Sequence, residues 1–168
     1  QISTQSISVA KATINVSSII QVGPNTWRYN LASTPDADWV AGVGKYALFS
    51  GCTAGGNNGT FKIVEVNQSG GANIVVTNAS GVVQTGAAGS AQLQLFSYNQ
   101  TNPVSAQFVS GESAIFASHT TSANNGTLPI YKINQGGNNL WVFNQTGAAQ
   151  AGVAGTVDVC RLSYNMSG

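Results

Sequence analysis

Apolar and polar residues alternate with a period of two over much of the chain. In Thr60-Phe-Lys-Ile-Val-Glu-Val66, Phe61 and Ile63 stand between polar neighbours, with Val64 and Val66 adding to the apolar set. Ala91-Gln-Leu-Gln-Leu-Phe-Ser-Tyr98 places Leu93 and Leu95 on one face, and the segment from Val157 to Leu162 alternates likewise. This is the pattern of half-buried β-strands. It predicts strands at 26–31, 46–50, 60–66, 73–78 and 91–98, then at 113–118, 127–133, 139–144 and 156–164. No long stretch carries a 3.6-residue apolar period, and a single turn at 36–40 is the best helical candidate. Asn58-Gly59 and Asn125-Gly126 supply residues tolerant of positive φ before a strand, as tight turns need. Gly70-Gly71 and Gly136-Gly137 fall between strand runs, as hairpin loops do.

The two sets of strands are versions of one text. Asn57-Asn-Gly-Thr-Phe-Lys-Ile-Val-Glu-Val-Asn-Gln68 returns as Asn124-Asn-Gly-Thr-Leu-Pro-Ile-Tyr-Lys-Ile-Asn-Gln135, and Phe96-Ser-Tyr-Asn99 returns as Leu162-Ser-Tyr-Asn165. The offset is 67 residues, falling to 66 after the turn at 69–71. Such regularity defines a building block, with Asn58, Gly59, Phe61 and Asn125, Gly126, Leu128 as its repeated turn and core positions. The repeated residues are apolar or turn-forming, so a scaffold was copied rather than a set of acids, bases or ligands. Applying the offset to 27–31 lands on 94–98, which predicts a strand shared by, or passed between, two units. The expectation is an all-β chain of two tandem, duplicated small antiparallel barrels or sandwiches without a linker: unit one at 23–99 and unit two at 94–168. Residues 1–22 lie outside the repeat and read as a β-prone arm. Ile2, Ile7, Val9, Ile14 and Val16 are its apolar positions, fit either for an extra edge strand on unit one or for adding to a neighbouring subunit's sheet.

Composition narrows the function. A chain of 168 residues is long enough for a real core. Only 7% of residues are charged and the net charge is +1, so neighbouring copies repel weakly. The six Lys and Arg are scattered from Lys11 to Arg161; without a cationic cluster a nucleic-acid partner is not expected. Apolar runs are too short to span a membrane as helices. No charged leader region precedes Gln1 and no signal peptide is expected in this sequence.

Chemistry-bearing residues are few. His119 is the lone histidine and aligns with Cys52, so the repeat does not conserve it. Asp36, Asp38, Glu65, Glu112 and Asp158 form no recognisable spacing with it, and no enzyme is expected. Cys52, Cys160 and His119 lack paired-ligand spacing for zinc, and Asp36 with Asp38 is a short carboxylate pair against the six to eight oxygens of calcium; neither metal nor cofactor is expected. Cys52 and Cys160 permit an intrachain disulfide, two buried thiols or a link between chains. The eight Asn-x-Ser/Thr triplets, from Asn15 to Asn165, follow from a composition rich in those residues. Trp27, Trp39 and Trp141, with Tyr29, Tyr46, Tyr98, Tyr131 and Tyr164, could line a sugar-binding face or pack inside.

Trp27-x-Tyr29, the stretch from Gly44 through Tyr46 to Gly51, Asn57 to Phe61 with Ile63 and Val66, and Ile74-x-Val76-x-Asn78 with Gly81-Val82 together resemble repeats in virion structural proteins of tailed bacteriophages, among them head decoration proteins and tail components. The resemblance covers residues 26–99 and, less well, 100–165, where Leu128 replaces the phenylalanine and Pro129 enters the strand as an edge or bulge signal. It implies a capsid decoration or tail-associated subunit, a homo-oligomer in contact with copies of itself and other virion proteins, located in the particle. The alternatives are an extracellular filament subunit polymerising by donor strands at the cell surface, and a carbohydrate- or receptor-binding module.

Overall fold

The computed structural model describes residues 1–68, 71–86, 89–134, 137–152 and 155–160. The chain is all-β. Its strands are β1 (Ile2–Val9), β2 (Ile14–Gly23), β3 (Thr26–Leu31), β4 (Tyr46–Ser50), β5 (Gly59–Asn67), β6 (Asn73–Thr77), β7 (Ser90–Leu93), β8 (Leu95–Gln100), β9 (Ser113–Ala117), β10 (Gly126–Ile133), β11 (Asn139–Phe143) and β12 (Gly155–Val159); the described residues also include a short α-helix, α1 (Ala37–Ala41), and 3-10 turns at Gly55–Asn57 and Ser122–Asn124. The strands form two closed antiparallel barrels. Barrel one runs β2-β3-β6-β5-β4-β7, and barrel two runs β1-β8-β11-β10-β9-β12. The cyclic order is the same when β2 is set against β1, β3 against β8, and so on.

The expected boundaries require correction at the N-terminus. Residues 1–22 are not an arm outside the repeat, nor an extra edge strand on unit one. They hold the first stave of both barrels. β1 pairs with β8 and β12 in barrel two, while β2 pairs with β3 and β7 in barrel one. Their buried positions coincide at an offset of 12: Thr4 with Val16 and Ile7 with Ile19. Ile7 exchanges backbone hydrogen bonds with Gln150 (2.9 and 2.8 Å) as Ile19 does with Gln84 (2.8 and 3.0 Å). Ile2, Val9 and Ile14 are half-buried along the same staves. Closure is the physical reason: without its first stave each sheet would expose two unpaired edges. The compact units are therefore Lys11–Gln94 and Gln1–Ala10 with Leu95 onward. They are nested in the chain rather than consecutive.

The strand expected at 91–98 is also two strands. β7 ends at Leu93 in barrel one and β8 begins at Leu95 in barrel two. The equivalence across β3 and β8 is two residues longer than the sequence offset suggests. Tyr29 matches Tyr98, and Trp39 matches Phe108, which accepts the same turn geometry: Trp39 N donates to Asp36 O (3.1 Å) and Phe108 N to Ser105 O (3.2 Å). The offset returns to 67 by Gly44 and Gly111, whose N–H groups donate to Ile63 O and Ile130 O. Barrel one thus has two extra residues between Val40 and Gly44. The other expected strands match β4, β5, β6, β9, β10 and β11 to within a residue at each end. The last expected strand is β12, and its remainder from 161 lies outside the described residues, as do Gly70, Gly136 and Tyr164.

Pro129 pairs with Ser113 of β9. β10 pairs with β11 only from Ile130 onward, whereas in barrel one Lys62 still pairs with Thr77. The missing proline N–H therefore falls where no β11 partner stands. Both β5 and β10 carry a bulge, between Ile63 and Glu65 and between Ile130 and Lys132.

Candidate functional site

Each barrel ties its loops together with a buried amide strut. In barrel one Asn57 is fully buried. Its Nδ2 donates to Val82 O (2.9 Å) and Gln84 Oε1 (3.3 Å), and its Oδ1 accepts from Val82 N (2.8 Å). The Tyr29 hydroxyl donates to Asn57 O (3.3 Å) and accepts from Asn78 Nδ2, which also donates to Gly56 O. Barrel two repeats these bonds: Asn124 with Ala148 and Gln150, Tyr98 with Asn124 O, and Asn144 with Tyr98 and Ala123 O. Burial pushes both tyrosine hydroxyls up to about 12, with the asparagine bonds acting in the opposite direction. These groups are hydrogen-bonded and protonated at neutral pH, and they brace the fold.

Asn58 and Asn125 are not turn residues at positive φ. Both are extended, at φ −93° and −94°, and only Gly59 and Gly126 are positive. Each asparagine is a clamp. Asn58 Oδ1 accepts from Cys52 N (2.8 Å) and its Nδ2 donates to Cys52 O (2.9 Å), and Asn125 does the same to His119 (2.8 and 3.0 Å). The side-chain amide imitates a strand partner for one residue of the opposing loop.

His119 is buried, at 4% exposure. Its Nδ1 lies 3.0 Å from Asn125 Oδ1. That oxygen already accepts from His119 N, so Nδ1 carries the proton, and Nε2 is buried with no hydrogen-bond partner. Burial lowers its pKa, and the Asn125 bond partly opposes that. The ring packs on Tyr98 (5.7 Å) and Phe116 (6.3 Å). In barrel one the third ring against Tyr29 and Phe49 is Phe61 (6.5 and 5.8 Å). Barrel two has Leu128 in place of Phe61, and His119 in place of Cys52 restores a ring from the other side. The histidine is a core aromatic.

The Asp36–Asp38 pair has a local task. Lys11 forms ion pairs with Asp36 and with Asp38 (3.0 Å), and its pKa is raised, chiefly by the bond to Asp36. Asp36 Oδ1 caps α1 by accepting from Asp38 N (3.0 Å) and Trp39 N (3.4 Å), which delivers Trp39 into the core at 1% exposure. Cys52 and Cys160 are thiols rather than a disulfide pair, the first buried and the second exposed; burial pushes the Cys52 thiol up. Among the described residues no three His, Cys, Asp or Glu side chains gather as a metal site would require.

Of the aromatic residues weighed for ligand contact, Tyr29, Tyr98, Trp27 and Trp39 are buried. Tyr131 and Trp141 are half-exposed on the outside of barrel two. The β10 bulge sets Lys132 opposite Trp141, with the ammonium 4.9 Å from the Tyr131 ring centre and 5.1 Å from that of Trp141. Phe143 packs against Tyr131 with ring centres 5.0 Å apart and planes tilted by 46°. Beside them a cleft of about 250 Å³ is lined by Lys132, Ile133, Asn134, Asn139 and Trp141. Ser97 Oγ donates to Asn139 Oδ1 (3.2 Å) and orients that amide. The aromatic residues alone did not single this place out, because the cation and the second amide reach it only through cross-strand pairing. Comparison with protein-family models, curated proteins and solved structures returns no significant match.

Proposed function

We propose that this chain is a structural subunit of a virus particle, a capsid decoration or tail-associated protein built from two copies of one barrel module. Its repeat resembles virion proteins of tailed bacteriophages. One observation carries the reading further. The exterior of barrel one exposes Val22 (43%), Val64 (49%), Val82 (48%) and Val83 (58%) on a chain with few charges. Such a surface loses little ion hydration when it is covered, whereas burying a charge costs several kcal/mol. Contacts with its own copies and with other virion proteins would then run through side-chain faces. Donor-strand polymerisation is less well served. Each described strand already has a partner on both sides, and donation needs an open groove. The scattered cations offer no phosphate track, and no described helix is long and apolar enough to cross a membrane.

Immunogold labelling of particles sedimented from a culture that makes this protein tests the reading. Regular label on heads or tails is expected. Label confined to cell-surface filaments, or to protein that does not sediment with particles, would overturn it. For the self-contacts, light scattering and electron microscopy of the purified chain should show closed oligomers that Val82→Glu with Val83→Glu disperses.

A further inference from the structure

The two barrels differ most pointedly on the outer face of one strand pair. Where barrel one carries Val64, Glu65, Val75 and Thr77, barrel two carries Tyr131, Lys132, Trp141 and Phe143. The bulge is the same and Lys132 faces Trp141 as Glu65 faces Val75, so the frame does not require these side chains. The exchange brings an indole, a phenol and an ammonium together and reverses the sign of the charge. The three aromatic exchanges add large ring surface to this strand pair, and two of the four residues, Lys132 and Trp141, line one cleft.

We propose that this cleft binds a carboxylate-bearing sugar ring. The half-exposed indole of Trp141 offers a flat apolar wall that the C–H face of a pyranose covers. Asn134 and Asn139 stand on the hairpin beside it, where side-chain amides both donate to and accept from neighbouring hydroxyls. Lys132 supplies the charge, and the five lining residues include one cation and no carboxylate. An ammonium has three N–H donors, and at the cleft one of them can make a charge-assisted hydrogen bond to a sugar carboxylate while the rings hold the group in place. The volume of about 250 Å³ is under the roughly 300–1,000 Å³ of drug-sized pockets, which suits one ring of a glycan rather than an extended chain.

Saturation-transfer NMR and calorimetry on the full chain, with sialyllactose and glucuronic acid as acidic probes, test the assignment. Lactose, the methyl ester of glucuronic acid and adenosine monophosphate are the comparisons. The acidic sugars should bind, and lactose and the methyl ester should bind at least about tenfold more weakly, the loss of one charge-assisted bond. Trp141→Val and Lys132→Glu install the residues that barrel one tolerates at the same positions, so folding should survive, as far-UV circular dichroism would verify. Trp141→Val should weaken every sugar by about tenfold or more, and Lys132→Glu should abolish the preference for the acid. No binding of either acidic sugar to the unaltered chain would overturn the proposal. So would equal binding of acid and ester, tighter binding of the nucleotide, or unchanged affinity in a folded Trp141→Val. The ester comparison needs no variant and decides the charge by itself.

Discussion

Barrel one completes its internal aromatic triad with Phe61, and barrel two completes its own with His119, so the same ring cluster is reached from a strand in one barrel and from a loop in the other. Around that cluster the struts are interchangeable: Asn57 for Asn124, Asn78 for Asn144, Tyr29 for Tyr98. Outside it the barrels part. Among the described residues, seven of the nine exposed large aliphatic side chains, Val83 and Val64 foremost, lie on barrel one, while barrel two has only Val109 and Ile115 and carries the Trp141 cleft. The difference teaches which positions hold the frame and which were released to act. Where two equivalent positions share a residue and a bond, that residue braces the barrel. Where they differ on the outside, the frame leaves the residue free to vary.

The hardest test of equivalence is at Gly89 and Gly155. Both have positive φ, +91° and +155°, and a Cβ there would lie 2.2 Å from Ser50 O and 2.3 Å from Ala117 O. Backbone cannot retreat from such contacts as a side chain can. Either substitution to alanine should cost about 4 kcal/mol, from overpacking and strain together, and Gly89→Ala should match Gly155→Ala within about 1 kcal/mol. Chemical denaturation of the two variants measures this. The strut asparagines come next. Asn57→Ala leaves the Val82 N–H and C=O without their partner, and Asn124→Ala does the same to Ala148; each should cost about 3 kcal/mol. Amide hydrogen exchange reads both barrels in one sample. Loss of protection restricted to the substituted barrel keeps the comparison, and equal loss in both would show that they open as one unit.

How much of this was legible in the chain follows from length scales. Alternation over five or more residues located the strands, and a 67-residue echo located equivalent cores. The staves β1 and β2 escaped because their echo returns after only 12 residues, unlike the 67-residue repeat, and Thr4 stands where Val16 does, so the apolar pattern breaks at its centre. The register of β3 against β8 was misread by two residues, since the two extra residues of barrel one, between Val40 and Gly44, lie downstream of that strand. An even slip keeps each side chain on its face, which is why the error left the expected core intact. The Asn-Gly pairs were recognised for the wrong property: Asn58 and Asn125 matter for the reach of their amides. The Trp141 cleft depends on which residue a bulge places opposite which, and local pattern does not encode that.

Acid should separate the barrels more gently. The pKa of folded His119 is below the ordinary value of 6.5, so in the window beneath about 6.5 the unfolded chain binds the proton more readily. The contribution of the neutral, buried ring is fully present above that value. It is lost as pH falls through the window. Barrel two should therefore lose exchange protection as pH drops from 7 towards 5, by a margin that barrel one, with Cys52 at this position, does not share. His119→Cys with Leu128→Phe transplants the ring arrangement of barrel one and should remove the difference. A pH profile unchanged by that exchange would move the titration elsewhere.

The finest contrast lies between the first two staves. Barrel two buries a polar pair, with Thr4 Oγ1 donating to Gln100 Oε1 (3.3 Å) and Gln100 Nε2 donating to Tyr98 O (3.0 Å). Barrel one has Val16 and Leu31 at these positions, both buried. A buried hydrogen bond is worth about 1 kcal/mol net, but a buried polar atom stripped of its partner costs about 1–3 kcal/mol. Gln100→Leu alone strands the Thr4 hydroxyl and should destabilise by about 1–2 kcal/mol. Thr4→Val with Gln100→Leu removes both ends and copies an arrangement the frame already supports, so it should fall within about 1 kcal/mol of the unaltered chain. A double-mutant cycle by urea denaturation gives the coupling. If the double substitution costs as much as the sum of the singles, the pair is uncoupled and the barrels are not interchangeable at the first stave. If the double recovers, the polar pair is a local variation, and what the barrels share is the shape of the space between staves.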